Sequence, residues 1–130
     1  MRVPISLLLL APLVLIVSID KAGAASLEGT WSGSGMANPK DGKPEKLRCR
    51  ISYSRHSEKV YSVAAACATT SVKFRQTGKL LKVSPTRYVG DFYNPEYDVS
   101  GRVRVIVRGS AQTVTFKSAR GNGSATLSKR

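Results

Sequence analysis

Residues 47–67 constrain the fold more tightly than any other part of the chain. Leu47, Cys49, Ile51 and Tyr53 alternate with Lys46, Arg48, Arg50 and Ser52. A period of two, apolar on one face and basic or polar on the other, describes a half-buried β-strand. After a polar turn comes a second run, Tyr61-Ser62-Val63-Ala64-Ala65-Ala66-Cys67. Folding the two runs together about residues 57–59 sets Tyr53 opposite Val63, Ile51 opposite Ala65 and Cys49 opposite Cys67, all on one face. The chain has two cysteines, and they meet across a hairpin whose register the hydrophobic pattern sets independently. The spacing fits neither C-x-x-C nor a zinc knuckle. The expectation is one disulfide in an oxidised, exported β-protein. Closing a loop of about 17 residues, it contributes about 3 kcal/mol in the chain-entropy description.

The N-terminus agrees with export. Arg2 is a positive n-region, residues 3–19 form an apolar stretch broken by Pro4 and Pro12, and Ala22-Gly23-Ala24 supplies a small-residue cleavage site. This predicts a cleaved signal peptide over 1–24 and one small domain over 25–130. Two prolines and the lack of a basic stop-transfer flank distinguish it from a membrane anchor. No cysteine lies near the cleavage site, so lipid acylation there is closed. The expected location is periplasmic or secreted, and the expected state is a monomer.

Short strand patterns recur along the rest of the chain. They cover residues 27–34, 46–54, 60–68, 71–76, 80–83, 87–93, 102–108, 113–117 and 124–127. Turn signals separate them: a Pro/Gly/Lys-rich stretch over 37–45, Gly78, Ser84-Pro85, Asn94-Pro95, Gly109-Ser110 and Gly121-Asn122-Gly123. No segment after the signal peptide has helical periodicity. Eight or nine short strands in sequential hairpins predict an all-β fold, an antiparallel meander closed as an up-and-down barrel with one disulfide. Closure hides the strand edges that so short a chain would otherwise expose. Trp31, Leu47, Tyr53, Phe74, Phe92, Phe116, Leu127 and the valines are expected nearly to fill the interior.

The segment Leu27-Glu28-Gly29-Thr30-Trp31-Ser32-Gly33 resembles the first strand of the calycin superfamily, whose barrels open with G-x-W. The resemblance implies that Gly29 and Trp31 form the barrel base, with Trp31 beneath an arginine from near the chain's end, Arg130 or Arg108. Followed by a cysteine-bearing strand and a later one ending in Ala-Cys, the same opening is also similar to the small secreted barrels that inhibit bacterial metalloproteases. In those, a disulfide ties early strands and the N-terminal tail enters the protease cleft. The likeness spans residues 27–67.

Charge and aromatic placement nominate two surfaces. The formal charge is +13, from 21 Lys and Arg against 8 Asp and Glu. Arg48, Arg50, Lys73, Arg75, Arg102, Arg104 and Arg108 all alternate with apolar residues, which places them on the barrel's outside as a candidate surface for an anionic partner. The second candidate is the rim loop carrying Tyr93, Asn94, Glu96, Tyr97 and Asp98, where aromatic and acidic side chains concentrate. Its acids lack the D-x-D-x-D-G spacing of a calcium loop, so no metal site is expected. His56, the one histidine, sits in a hairpin turn between Arg55 and Ser57, and neighbouring positive charge alone makes no general base of it. Catalytic residues and cofactors are therefore expected to be none. The reading is a binding protein that meets a protein or an anionic envelope component through its surface, as an inhibitor or interaction module. Nucleic acid is disfavoured because the basic strands carry no aromatic platforms. The alternative is a calycin-like carrier holding a small apolar ligand inside.

Overall fold

The computed structural model describes residues 26–130 and the isolated Pro12; the rest of the predicted signal peptide and its cleavage site lie outside the described residues. Eight strands follow one another: β1 (Gly29–Pro39), β2 (Glu45–Arg55), β3 (Val60–Ala68), β4 (Lys73–Ser84), β5 (Arg87–Asn94), β6 (Val99–Arg108), β7 (Ala111–Ser118) and β8 (Gly121–Lys129). Each pairs antiparallel with the next, and β8 returns to β1 to close an up-and-down barrel. The β2–β3 register is the one that the alternation demands, with Tyr53 opposite Val63, Ile51 opposite Ala65 and Cys49 opposite Cys67. The two cysteines form the disulfide.

Three expectations at turns are corrected. Residues 71–76 and 80–83 belong to one strand, β4, which runs through Gly78. Gly78 pairs with Val63 inside an unbroken ladder from Lys73 to Leu81, so partner-strand pairing overrides its turn preference. That reduces the expected eight or nine strands to eight. Strand β1 continues through Pro39, into residues expected to be loop, because Ala37 pairs on both sides, with Glu45 and Gly123. Gly121-Asn122-Gly123 begins β8 instead of forming the turn. Asn122 is held between Lys117 and Asn38, and the turn falls on Ala119 and Arg120. At Gly109 the turn signal holds: φ of +60° at the first central position of a two-residue hairpin is what a type II′ turn requires.

Parity along the strands assigns the base. Trp31 is fully buried, and its Nε1 donates to the carbonyl of Leu27 at 2.9 Å. Lys129 is its register partner on β8, so both residues stand on the same side of the sheet. The ammonium of Lys129 lies 5.6 Å from the Trp31 ring centroid and donates to the carbonyl of Ser26. Gly29 adopts φ +115°, and a Cβ there would sit 3.2 Å from Lys129 Cε. The glycine of G-x-W therefore gives passage to the cation that covers the tryptophan. The expected arginine cover is corrected by the same parity: Arg130, one residue on, bonds Ser32 Oγ at 2.7 Å, and Arg108 is exposed at the end of β6. At the same end of the barrel, Tyr61 and Tyr88 meet edge to face at 5.3 Å, a favoured aromatic geometry. Burial, with Tyr61 beside it, pushes the Tyr88 phenol up to about 12.

Candidate functional site

The strand ends opposite Trp31 open into a cup. A cavity of about 370 Å³ occupies this half of the barrel, with apolar walls from Ile51, Val63, Phe74, Val103, Val114 and Ala125 among others. The expectation of a nearly filled interior is thus corrected. Inward positions here are often small, as at Ala37, Ala65, Gly78, Gly121 and Ala125. The two nearby phenylalanines also lie against the wall. Phe92 covers Gly101 and Phe116 covers Gly123, so that a Cβ at either glycine would collide with the ring. Both are direct cross-strand pairs, the arrangement by which an aromatic ring shields a strand glycine. Rings held sideways leave the axis open.

The cup's floor carries one polar pair. Tyr53 Oη donates to Gln112 Oε1 at 2.6 Å, and both residues are buried. Burial raises the Tyr53 phenol's pKa well above its ordinary value. Gln112 Nε2 has no hydrogen-bond partner among the described residues.

The wall between β4 and β5 is built differently from the others. Their backbone ladder covers Leu81–Ser84 against Arg87–Val89, with a register shift between Lys82 and Ser84. Nearer the mouth, side chains bridge the strands. Gln76 Nε2 donates to the carbonyl of Tyr93 at 2.8 Å, and Asn94 Nδ2 donates to that of Arg75 at 3.2 Å. Tyr97 Oη adds a bond to the carbonyl of Lys73 at 3.2 Å. Thr77, Lys79 and Asp91, at outward strand positions, border the same cavity. The cup therefore extends into this seam. Gln76 was not among the expected site residues. Its signal was there to find: an amide at an inward position in Phe74-x-Gln76-x-Gly78-x-Leu80.

The predicted rim loop divides. Asn94 is buried, and its Oδ1 accepts from the backbone N–H of Tyr97 at 3.1 Å, capping the turn. Asp98 completes that turn at φ +48°, and its carboxylate accepts from Tyr93 Oη at 3.1 Å. Asn94 and Tyr97 border the cup, whereas Glu96 borders a groove on the outer wall. Asp91 pairs instead with Arg102 at 3.3 Å. Asp91, Glu96 and Asp98 thus face different surroundings, and no cluster of three metal-ligating side chains occurs among the described residues.

The predicted basic surface divides as well. Arg48, Arg50, Lys73 and Arg75 border one outer groove across β1–β4, joined by Arg130. Arg102, Arg104 and Arg108 stand on β6, two strands beyond β4 in the ring and so outside that groove. Alternation identifies outward residues and leaves their position around the barrel to the topology. Cys49 and Cys67 lie in the wall between cup and groove, bordering both. No helix among the described residues is long and apolar enough to cross a membrane.

No protein-family model matches the chain, and no curated protein matches it in sequence. Solved structures do match in fold. The redesigned β-barrel mFAP1 bound to DFHBI superposes with a TM-score of 0.67 at 14% identity, covering 84% of this chain and 99% of that one. The redesigned barrel b11L5F_LGL gives 0.65 at 16% identity, over 84% and 96% of the two chains. Rv2717c from M. tuberculosis gives 0.61 at 9% identity, over 80% and 92%. At these identities the likeness is one of fold alone: small eight-stranded antiparallel barrels.

Proposed function

We propose that this protein is an exported, non-enzymatic binding protein that takes a small, largely apolar molecule into the open end of its barrel. The observation that carries this reading is the cavity of about 370 Å³, open at the mouth and sealed below by the Trp31 layer. Its size falls in the range of small-molecule sites, and apolar walls with a few polar groups are their usual composition. Removing apolar ligand surface from water supplies the affinity at roughly 25 cal/mol per Å². The hydroxyl of Tyr97 and the amides of Gln76 and Asn94 stand at the mouth to orient a polar end. The structure of mFAP1 bound to DFHBI lends support from a barrel of the same build. The Cys49–Cys67 disulfide favours an oxidising compartment.

The test is titration of the oxidised protein with a neutral apolar fluorescent probe, N-phenyl-1-naphthylamine, beside the variant Ala65→Phe. Ala65 borders the cavity, and a phenyl ring there occupies it. Saturable one-to-one binding that Ala65→Phe weakens at least tenfold is the expected result. Binding that ignores the substitution, or no binding at all, overturns the proposal.

A further inference from the structure

The outer wall of β1–β4 carries cations in an ordered array. Strand register places Ser32, Arg50, Ala66 and Arg75 in one row across the four strands, and Ser34, Arg48, Ala68 and Lys73 in the next. Along a strand, outward residues recur about every 6.8 Å, and β2 and β4 stand about 10 Å apart with β3 between them. Four cations thus mark the corners of a rectangle whose floor is Ala66 and Ala68. The result is a groove of about 790 Å³. Arg130 adds a fifth cation at the β1 side, anchored to Ser32. Glu96 is the one acid bordering the groove. None of the five cations is in a salt bridge among the described residues, in contrast to Arg102, which is paired with Asp91.

Like charges this close raise the folded state's energy unless an anion enters between them. The groove's shape and chemistry say what kind. It is concave and bounded by long side chains, so a flat bilayer meets only its rims. Its outward floor is alanine; Phe74, the one aromatic bordering it, is half-buried at an inward position of β4 and offers no open face for a nucleic-acid base to stack on. The backbone groups of β2 and β3 are committed to ladders on both sides, which leaves no strand edge for an acidic peptide to extend. Two serine hydroxyls beside the arginines suit a ligand that carries hydroxyl groups of its own. Guanidinium groups grip carboxylate and sulfate with paired donors. We propose that this groove is a binding site for an acidic polysaccharide, an extended chain bearing carboxylate or sulfate groups at regular intervals. The site is separate from the cup and does not depend on a ligand there.

Calorimetric titration of the oxidised full chain at physiological salt tests the proposal. Hexagalacturonate and a heparin hexasaccharide are the carboxylate and sulfate arms. A thymidine decanucleotide and vesicles of phosphatidylglycerol are the competing polyanions. Two variants remove equal charge inside and outside the groove, Arg50→Gln with Arg75→Gln and Arg102→Gln with Arg104→Gln. A third, Ala68→Glu, sets a carboxylate on the groove floor without removing any cation. The expected result is one-to-one binding of at least one hexasaccharide, accompanied by a higher melting temperature. The groove variant and Ala68→Glu weaken that binding tenfold or more, and the β6 variant weakens it less than threefold. Equal losses in the two double variants reduce the interaction to general charge and overturn the site. So does tighter binding of the decanucleotide or the vesicles, or absence of saturable binding to either hexasaccharide. Melting temperatures of the free variants within a few degrees of the parent show that lost binding is not lost folding.

Discussion

At the Trp31 end of the barrel, inward side chains are large and interlocked. Trp31 is tied to Leu27, Lys129 crosses Gly29 to reach the ring, and Tyr61 meets Tyr88. At the Asn94 end, the same strands with the same alternation point alanine, glycine and sideways-held phenylalanine rings at the axis. There, side-chain amides supplement the ladder between β4 and β5. Closing a barrel and filling it are therefore separate problems. Register and closure depend on which positions face inward. Whether the interior is core or container depends on the volume placed at those positions, and this chain changes that volume halfway along its strands.

The sharpest way to break this comparison is to truncate one residue at each end. Trp31→Ala removes a fully buried indole, its hydrogen bond and its cation contact. It should cost about 3–5 kcal/mol in urea denaturation, the range for large aromatic truncations in cores. Tyr97→Ala loses a half-exposed ring and one bond to a backbone carbonyl, and it should cost about 1 kcal/mol or less. Equal costs would mean that the mouth is as tightly packed as the base.

The disulfide makes the next largest difference, and it acts on the mouth half. Cys49 and Cys67 link β2 and β3 within the cup wall, where packing contributes least. Reduction should lower stability by about 3 kcal/mol through the freed denatured chain. Hydrogen exchange should then rise first in the amides of Arg50 and Ala66, next to the cysteines, while that of Trp31 stays slow. Uniform acceleration through both ends would show that base and mouth open as one unit.

The contrast between the ends also explains what the sequence could and could not tell. Alternation and one cysteine pair located the β2–β3 hairpin to the residue, because the register of a half-buried strand is tied to which face is apolar. Gly29 and Trp31 were legible as a base through the resemblance of their G-x-W segment to a calycin first strand, not through alternation. Gly78, Asn122 and Pro39 were misplaced because their positions depend on strands distant in the chain, whose ladders override local turn preference. The cup was illegible for a related reason. Phe92 and Phe116 read as filling groups, and only the cross-strand glycines at 101 and 123 show that their rings lie flat against the wall. Rows such as Arg50–Ala66–Arg75 need three strands in register before two separate basic patterns become one groove.

The smallest expected contrast, a coupling energy, lies at the boundary between the two halves, where Tyr53 and Gln112 form a buried polar pair. Tyr53→Phe strips Gln112 of its one partner and leaves a buried amide unsatisfied, a loss of about 1–3 kcal/mol. Gln112→Leu leaves the Tyr53 hydroxyl without its acceptor but also removes the unpartnered Nε2, so it should cost less. In the double variant both sides of the interaction become apolar and no orphan remains. It should be more stable than Tyr53→Phe alone, with a coupling of about 1 kcal/mol in a double-mutant cycle. Additive losses would mean that water entering from the cup already serves both groups, which moves the boundary between core and container down past Gln112. A strong coupling places that boundary above the pair and makes it the last layer of the base.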